Sequence, residues 1–344
     1  MKKYILCSIS DGSSHNAGSK AGKDATHIAV SLGYQLCKLH TAKGDHTTVG
    51  NVIAGVVNTA KLCRKLRKGD IVLLQYPTNR YLMKLIYPML NKAGAQTVTL
   101  IHDVDFLRNV PRGDQGVEGM RKLEIGLLSR STHLICHNES MIEALRQNGV
   151  KANMLSLGIF DYLYDGTPAM RTDDGAVIVA GNLTEKKAGY LYKLQNQKFL
   201  LSLYGSNLSE NFTNQNHIYY GSFPPDALIA NLKGSYGLVW DGPETDTCAG
   251  DYGQYLRFNN PHKVSLYLAA GIPLILWKQS ALYHFVAEHG VGFGVESLHE
   301  IDDRMQEQDY EAMVRNVLSL QKKVCAGGFL KEALEKVEKS LTEE

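Results

Sequence analysis

The chain has 344 residues, 44% of them hydrophobic and 21% charged, which is enough for two domains with sizeable cores. Its 37 Lys and Arg stand against 35 Asp and Glu, a formal net charge of +2, and no basic run is interleaved with aromatics, which excludes a nucleic-acid partner. No apolar run approaches the roughly 20 residues that span a bilayer, which excludes a transmembrane helix and leaves peripheral membrane contact open.

The opening Met1-Lys-Lys-Tyr-Ile-Leu-Cys-Ser-Ile-Ser10 has too short an apolar part for a signal peptide and meets Asp11 and Gly12 at once. It reads as a first strand over 4–9. Further buried, parallel-type strands follow over 35–39, 71–75, 97–101 and 132–136. Helical patterns alternate with them at 24–33, 48–67, 79–92 and 117–130, with one more over 139–148. That alternation predicts a doubly wound α/β sheet.

At 155–175 the pattern loosens into a linker, and a second alternating series begins. Its strands lie over 176–180, 199–204, 217–220, 236–240 and 272–276, and its helices over 185–195, 224–233, 262–270, 279–288 and 308–324. The predicted division is an N-terminal domain over 1–158, a C-terminal domain over 170–328 and an amphipathic helix over 329–344. In that helix Leu330, Leu334, Val337 and Leu341 share one face, suited to the first domain or to another subunit, so a homo-oligomer is expected. Six scattered cysteines form no C-x-x-C pair, which points to reduced thiols in a cytoplasmic protein.

Four places carry chemistry. The Gly-rich loop after the first strand, Asp11-Gly-Ser-Ser-His-Asn-Ala-Gly-Ser-Lys-Ala-Gly22, lets a backbone approach a ligand ahead of a helix. It fits neither a dinucleotide fingerprint nor a P-loop, and a plain mobile loop is the bland alternative. The fourth strand ends in His102-Asp-Val-Asp105, where α/β domains bind ligands. Asp103 is the candidate general base and His102 its reserve. Two other readings stand beside this one: a metal-holding Asp-x-Asp pair, and a capping aspartate in a plain loop.

The sixth strand leads into Gly181 and Asn182, followed by Lys186 and Lys187. Gly181 permits close backbone approach, Asn182 bonds a ligand or caps the next helix, and a solvated Lys186 is the bland alternative. Tyr220 has a ring suited to stacking on a flat base, or to core packing. Ahead of the next helix, 241–253 reads as a mobile acidic loop that orders over a ligand. Then come Arg257, Asn260 as N-cap, Pro261 as first helical residue, and His262 and Lys263 in the first turn. A helix N-terminus favours an anion, and Lys263 there is electrostatically awkward unless an anion faces it.

The block Asn259-Asn-Pro-His-Lys-Val-Ser-Leu-Tyr-Leu-Ala-Ala-Gly-Ile-Pro273, followed by Trp277 and Lys278, resembles the donor-side signature of a bacterial sugar-transferase family. That family includes the glucosyltransferase 3 enzymes of adhesin glycosylation and β-1,6-galactofuranosyltransferases. Asn16-Ala-Gly-Ser-Lys-Ala-Gly22, Ile101-His-Asp-Val-Asp-Phe-Leu-Arg108 and Ala180-Gly-Asn-Leu-Thr-Glu-Lys-Lys187 are similar to it in the same order over nearly the whole chain.

The resemblance implies a GT-B fold, two Rossmann-like doubly wound domains facing a cleft, with a C-terminal helix crossing back to the first. It implies transfer of a hexose, glucose or galactofuranose, from a UDP-sugar to a sugar hydroxyl on a glycoprotein or polysaccharide precursor, with no further cofactor and no metal. Gly181, Asn182, Lys186, Tyr220, Arg257, Asn260, His262 and Lys263 would then hold the donor, and Asn16, Gly18 and Lys20 would contact substrate. A UDP-sugar epimerase of the same architecture, or a non-catalytic homologue assembling with another transferase, would share these features.

Overall fold

In the computed structural model, which describes residues 1–10, 17–42, 49–109, 116–168 and 172–343, the apolar runs become two six-stranded parallel sheets. The chain divides into two units. The first holds Met1–Ser14, Gly22–Leu157 and Phe329–Glu344, and the second holds His15–Ala21 and Gly158–Gly328.

The first sheet comprises β1 (Lys3–Ser10), β2 (Gln35–Ala42), β3 (Ile71–Tyr76), β4 (Gln96–Ile101), β5 (His133–Cys136) and β6 (Asn153–Ser156). Their order is β2-β1-β3-β4-β5-β6, so the direction of winding reverses between β1 and β3. Its middle strands are buried almost throughout, which is why they read as continuous apolar runs. The terminal helix Gly328–Glu343 packs in this unit, with Leu330, Leu334 and Val337 buried. Its Glu338 accepts from Lys3 Nζ at 3.0 Å and Tyr34 Oη at 3.0 Å. The apolar face that sequence alone leaves between two uses is therefore covered within the chain.

The second sheet comprises β7 (Val177–Asn182), β8 (Leu201–Ser206), β9 (His217–Gly221), β10 (Tyr236–Val239), β11 (Leu274–Trp277) and β12 (Gly292–Val295), in the order β12-β11-β10-β7-β8-β9. Here the winding reverses between β7 and β10. All pairings in both sheets are parallel. Tyr190, Trp240, Trp277 and their aliphatic neighbours fill the core of this unit.

Several elements differ from expectation, each for a local reason. β6 and β12 are additional strands: β6 is short and half-exposed, and β12 carries two glycines. A Cβ at Gly292 would lie 2.1 Å from the Leu274 carbonyl oxygen, so close strand pairing requires glycine there. The helix expected over 185–195 is two short turns, Glu185–Ala188 and Tyr190–Lys193, broken at Gly189. A side chain at Gly189 would meet Pro243 Cα at 2.9 Å and the Glu185 carbonyl oxygen at 2.6 Å. The segment 241–253, expected as a mobile loop, contains the start of a helix, Gly250–Tyr255, and the fully buried Cys248. Trp240 Nε1 donates to the Glu244 carbonyl and Gln254 Nε2 to the Cys248 carbonyl, at 2.9 and 2.8 Å, which folds the segment onto its own strand end.

Candidate functional site

In open α/β sheets a ligand crevice forms where neighbouring strands lead off in opposite directions, beyond their carboxyl ends. In the second unit that place is β7 beside β10, and the reason it opens is visible. The two strands pair only through Val177 and Ile178, opposite Tyr236 and Gly237. Beyond that point the hydroxyl of Tyr267 takes over, accepting from Ala180 N–H at 2.9 Å and donating to the Ile178 carbonyl at 3.2 Å. Room for its ring comes from Gly237, where a Cβ would stand 2.3 Å from the ring carbons.

On either side of that gap stand Gly181 and Asn182, the last residues of β7, and Trp240 and Asp241, which follow directly after β10. Gly181 has φ +142° and Gly205, beside it on β8, φ +141°. A Cβ on Gly205 would sit 1.7 Å from the Gly181 carbonyl oxygen, so bare backbone lines this stretch. Asn182 Oδ1 accepts from Thr184 N–H at 3.1 Å and from Asn207 Nδ2 at 3.2 Å, which makes it a turn former.

Lys263 stands at the second position of the helix His262–Ala269. Its Nζ donates to Asp241 Oδ1 at 2.9 Å and to the Trp240 carbonyl at 3.2 Å. The awkward placement of a cation at a helix start is thus resolved by a carboxylate at the end of β10. Both side chains are largely buried, 14% and 10% exposed. The helix begins at His262, as the expected range has it, but its N-cap is Pro261, in an extended conformation, and not Asn260, which lies before it. The Asn260 side chain instead ties this turn to an earlier segment, its Nδ2 donating to the Gly158 carbonyl at 2.8 Å.

The segment after Gly158, which sequence reading assigns to a linker, organises three of the expected residues. It takes the Asn260 amide at Gly158, and the His262 ring packs on Phe160 and Tyr162 with centroids 6.0 and 5.2 Å apart. Lys20, buried and counted with the second unit, donates to the Leu163 carbonyl at 2.8 Å, pairs with Asp226 at 3.1 Å and lies 5.0 Å above the Tyr162 ring. Gly18 lies in the helix Ala17–Ser31, and Asn16 lies outside the described residues.

Arg257 is held over the Trp277 ring at 4.7 Å, with Gln254 and Gln279 accepting from its guanidinium. Burial pushes the Cys248 thiol well above its ordinary range, and a hydrogen bond to the Asp241 backbone, Lys263 and Arg257 lower it in part. Lys186 is exposed. Tyr220 stacks on Tyr204 with centroids 4.8 Å apart and planes 7° from parallel, and Lys233 lies over its ring at 5.6 Å.

In the first unit, His102 and Asp103 follow β4. Gln75 donates its amide to the Gly22 carbonyl and to Thr26 Oγ1, at 3.2 and 2.9 Å, so its Oε1 must accept from His102 Nε2, 2.8 Å away. That fixes the proton of the neutral ring on Nε2. Burial lowers the His102 pKa to about 4. It also lowers His137, whose Nε2 donates to the Ile101 carbonyl at 3.1 Å, to about 3, with His102 adding repulsion.

Both histidines are neutral in the fold and titrate near 6.5 when unfolded. The unfolded chain therefore binds more protons, and stability falls as pH drops through 6.5 toward 4. The melting temperature is expected to decline across that window, and His137→Gln should flatten the decline; a flat profile in the parent protein would contradict the assignment.

Asp103 is 37% exposed and Arg108 Nη1 reaches its Oδ2 at 3.2 Å. Asp105, 1% exposed, is bound by Arg80 and also lies 3.7 Å from Arg108. Arg80 further pairs with the fully buried Glu124 at 3.1 Å, and Glu124 accepts from Tyr76 Oη and from Phe106 N–H at 2.7 and 2.8 Å. The Asp-x-Asp carboxylates thus share an arginine where the metal reading would put a cation. Asp105 belongs to a buried network that shapes the turn, and Asp103 is the carboxylate presented outward.

Sequence reading missed Asp241, Tyr267, Arg108 and the 158–163 segment. Arg108, Asp241 and Tyr267 all lay in segments that the sequence singled out, but nothing local gave them partners.

Family comparisons agree along the chain. Residues 2–159 match the model described as Glucosyltransferase 3-like, N-terminal domain, and 177–337 the one described as Glucosyltransferase 3-like, C-terminal domain. The chain is 32% identical over 335 residues to the β-1,6-galactofuranosyltransferase WbbI of Escherichia coli K12, covering 94% of this chain and 95% of that protein. It is 27% identical over 274 residues to glucosyltransferase 3 of Streptococcus gordonii, covering 77% and 78%. Among solved structures, Anabaena Alr3699/HepE in complex with UDP superposes with a TM-score of 0.60 at 11% identity, over 99% of this chain and 100% of that one.

Proposed function

Because this chain belongs to the glucosyltransferase 3-like family of glycosyltransferases, we propose that it transfers a hexose, glucose or galactofuranose, from a UDP-sugar to a sugar hydroxyl on a glycan or glycoprotein. Its GT-B architecture supports this reading, and the observation that carries it is the gap between β7 and β10, with bare glycine backbone on one side and Lys263 on the other. A cation at a helix start beside that gap suits the diphosphate of a nucleotide sugar, whose leaving oxygen gains charge as the glycosidic bond breaks. Arg257 adds a second cation. Asn182 shapes the turn beside the gap and Asn260 and His262 set the course of the helix start, while Tyr220 and Lys186 stand as further donor contacts in this reading.

Acceptor chemistry falls to the first unit. The acceptor oxygen attacks the anomeric carbon, the bond from that carbon to the UDP oxygen breaks, and Asp103 takes the acceptor's proton. His102 is neutral but already donates to Gln75, so Asp103 is the better base. Charge on UDP is met by side chains, and no cofactor enters the scheme.

Thermal unfolding with UDP, GDP, ADP or NAD, with and without EDTA, tests the donor assignment. Stabilisation by UDP alone, unaffected by EDTA, is the expected result. No shift at millimolar UDP would remove the donor pocket, and a shift that requires Mn²⁺ would favour a metal-assisted site.

A further inference from the structure

We propose that the first unit docks on an anionic lipid surface through the outward faces of the helices Val49–Cys63 and Arg80–Lys92. These helices are neighbours: Gly55 lies so close to Leu82 that a Cβ would come within 2.6 Å, and Cys63 Sγ meets the Met89 carbonyl at 3.6 Å. The inner face of each helix is buried in the ordinary way, through Gly55, Thr59 and Leu62 on one and Leu82, Ile86 and Leu90 on the other.

The outer faces are unusual. Val49, Ile53 and Val57 follow at i, i+4 and i+8 and are 77, 58 and 45% exposed. Tyr81 and Leu85 repeat the spacing on the second helix at 65 and 49%. A helix that is apolar all round normally has both faces covered, and a contiguous exposed apolar strip marks a contact surface.

Charge identifies what covers it. From 49 to 102 the chain has eight Lys or Arg and one acidic residue, the buried Asp70, in a protein whose net charge is only +2. Arg80 is consumed in the Asp105 and Glu124 network, but Lys61, Arg64, Lys65, Lys84 and Lys92 are exposed around the apolar strip. Lys84 lies 5.9 Å above the Tyr81 ring, an amphipathic pair suited to a headgroup layer. An isologous contact with a second copy would set these positive faces against each other. Aliphatic residues that insert, ringed by bases that pair with headgroups, complement an anionic bilayer.

Co-sedimentation of the full chain with vesicles tests this. Binding is expected to phosphatidylcholine vesicles containing phosphatidylglycerol, and not to phosphatidylcholine alone, and to weaken as salt rises. Ile53→Glu/Val57→Glu and, separately, Lys61→Glu/Lys65→Glu should each weaken it by about tenfold or more. Because all four side chains are exposed, melting and UDP stabilisation should stay unchanged. Failure to bind anionic vesicles, or undiminished binding by both variants, would overturn the proposal. So would a concentration-dependent dimer by light scattering that Ile53→Glu/Val57→Glu abolishes, since a second copy would then cover the face.

Discussion

Asp103→Asn is expected to leave UDP stabilisation intact while lowering sugar transfer by about 10²–10⁴-fold, the range that a positioned general base contributes. The substitution keeps the size of the side chain and removes its ability to take a proton. Little else should change, because the contact with Arg108 is part-exposed and such pairs are worth about 0–1 kcal/mol. The neighbouring histidine provides the control. His102→Gln preserves a donor toward Gln75 and should reduce transfer far less. Full activity in Asp103→Asn would end the assignment, and loss in His102→Gln alone would move the base to the imidazole. Loss of UDP stabilisation in Asp103→Asn would instead mean that the variant is misfolded.

Lys263→Ala should weaken UDP binding by about 1.5–3 kcal/mol, the worth of a charge-assisted hydrogen bond, or roughly 10- to 100-fold. It should also lower the melting temperature of the unliganded protein, because the Asp241 carboxylate is left largely buried without its cation. Adding Asp241→Asn to Lys263→Ala separates the two effects. The double variant should regain stability, since no unpaired charge remains, and should still bind UDP poorly. Unchanged UDP affinity in Lys263→Ala would take the lysine out of the donor site. Recovery of UDP affinity in the double variant would show that the single variant lost it through misfolding.

The sequence made most of the scaffold legible because central parallel strands are buried on both faces, and continuous apolar runs such as 71–75 and 272–276 announce that. β12 was hidden by its own packing. Gly292 and Gly294 are there because the Leu274 backbone and the Tyr283 ring leave no space, and glycine in a short run looks like a loop. At the candidate site, Lys263 was legible from local chemistry alone. Asp241 was not: it lies 22 positions away, and the pair exists only because β10 delivers it to the helix start. Asp103 and Asp105 are indistinguishable as letters. What parts them is Arg80 on a different helix and Glu124 on another, which draw Asp105 inward and leave Asp103 37% exposed.

The helix Gly328–Glu343 gives the protein a problem of timing. Its Phe329, Leu330, Ala333, Leu334 and Val337 are buried in the first unit, and Glu338 is anchored there by Lys3 and Tyr34. Chains leave the ribosome from the amino end, and early domains ordinarily settle while later ones are still being made. Here the first unit is not complete until residues 329–343 have been made. Throughout translation of 158–328 it carries an uncovered apolar slot, the kind of surface that chaperones hold and that aggregates when they do not. A stop codon near position 328 would spare every residue of the second sheet and still leave the first unit incomplete, so even a short carboxyl-terminal truncation should be felt at the opposite end of the chain.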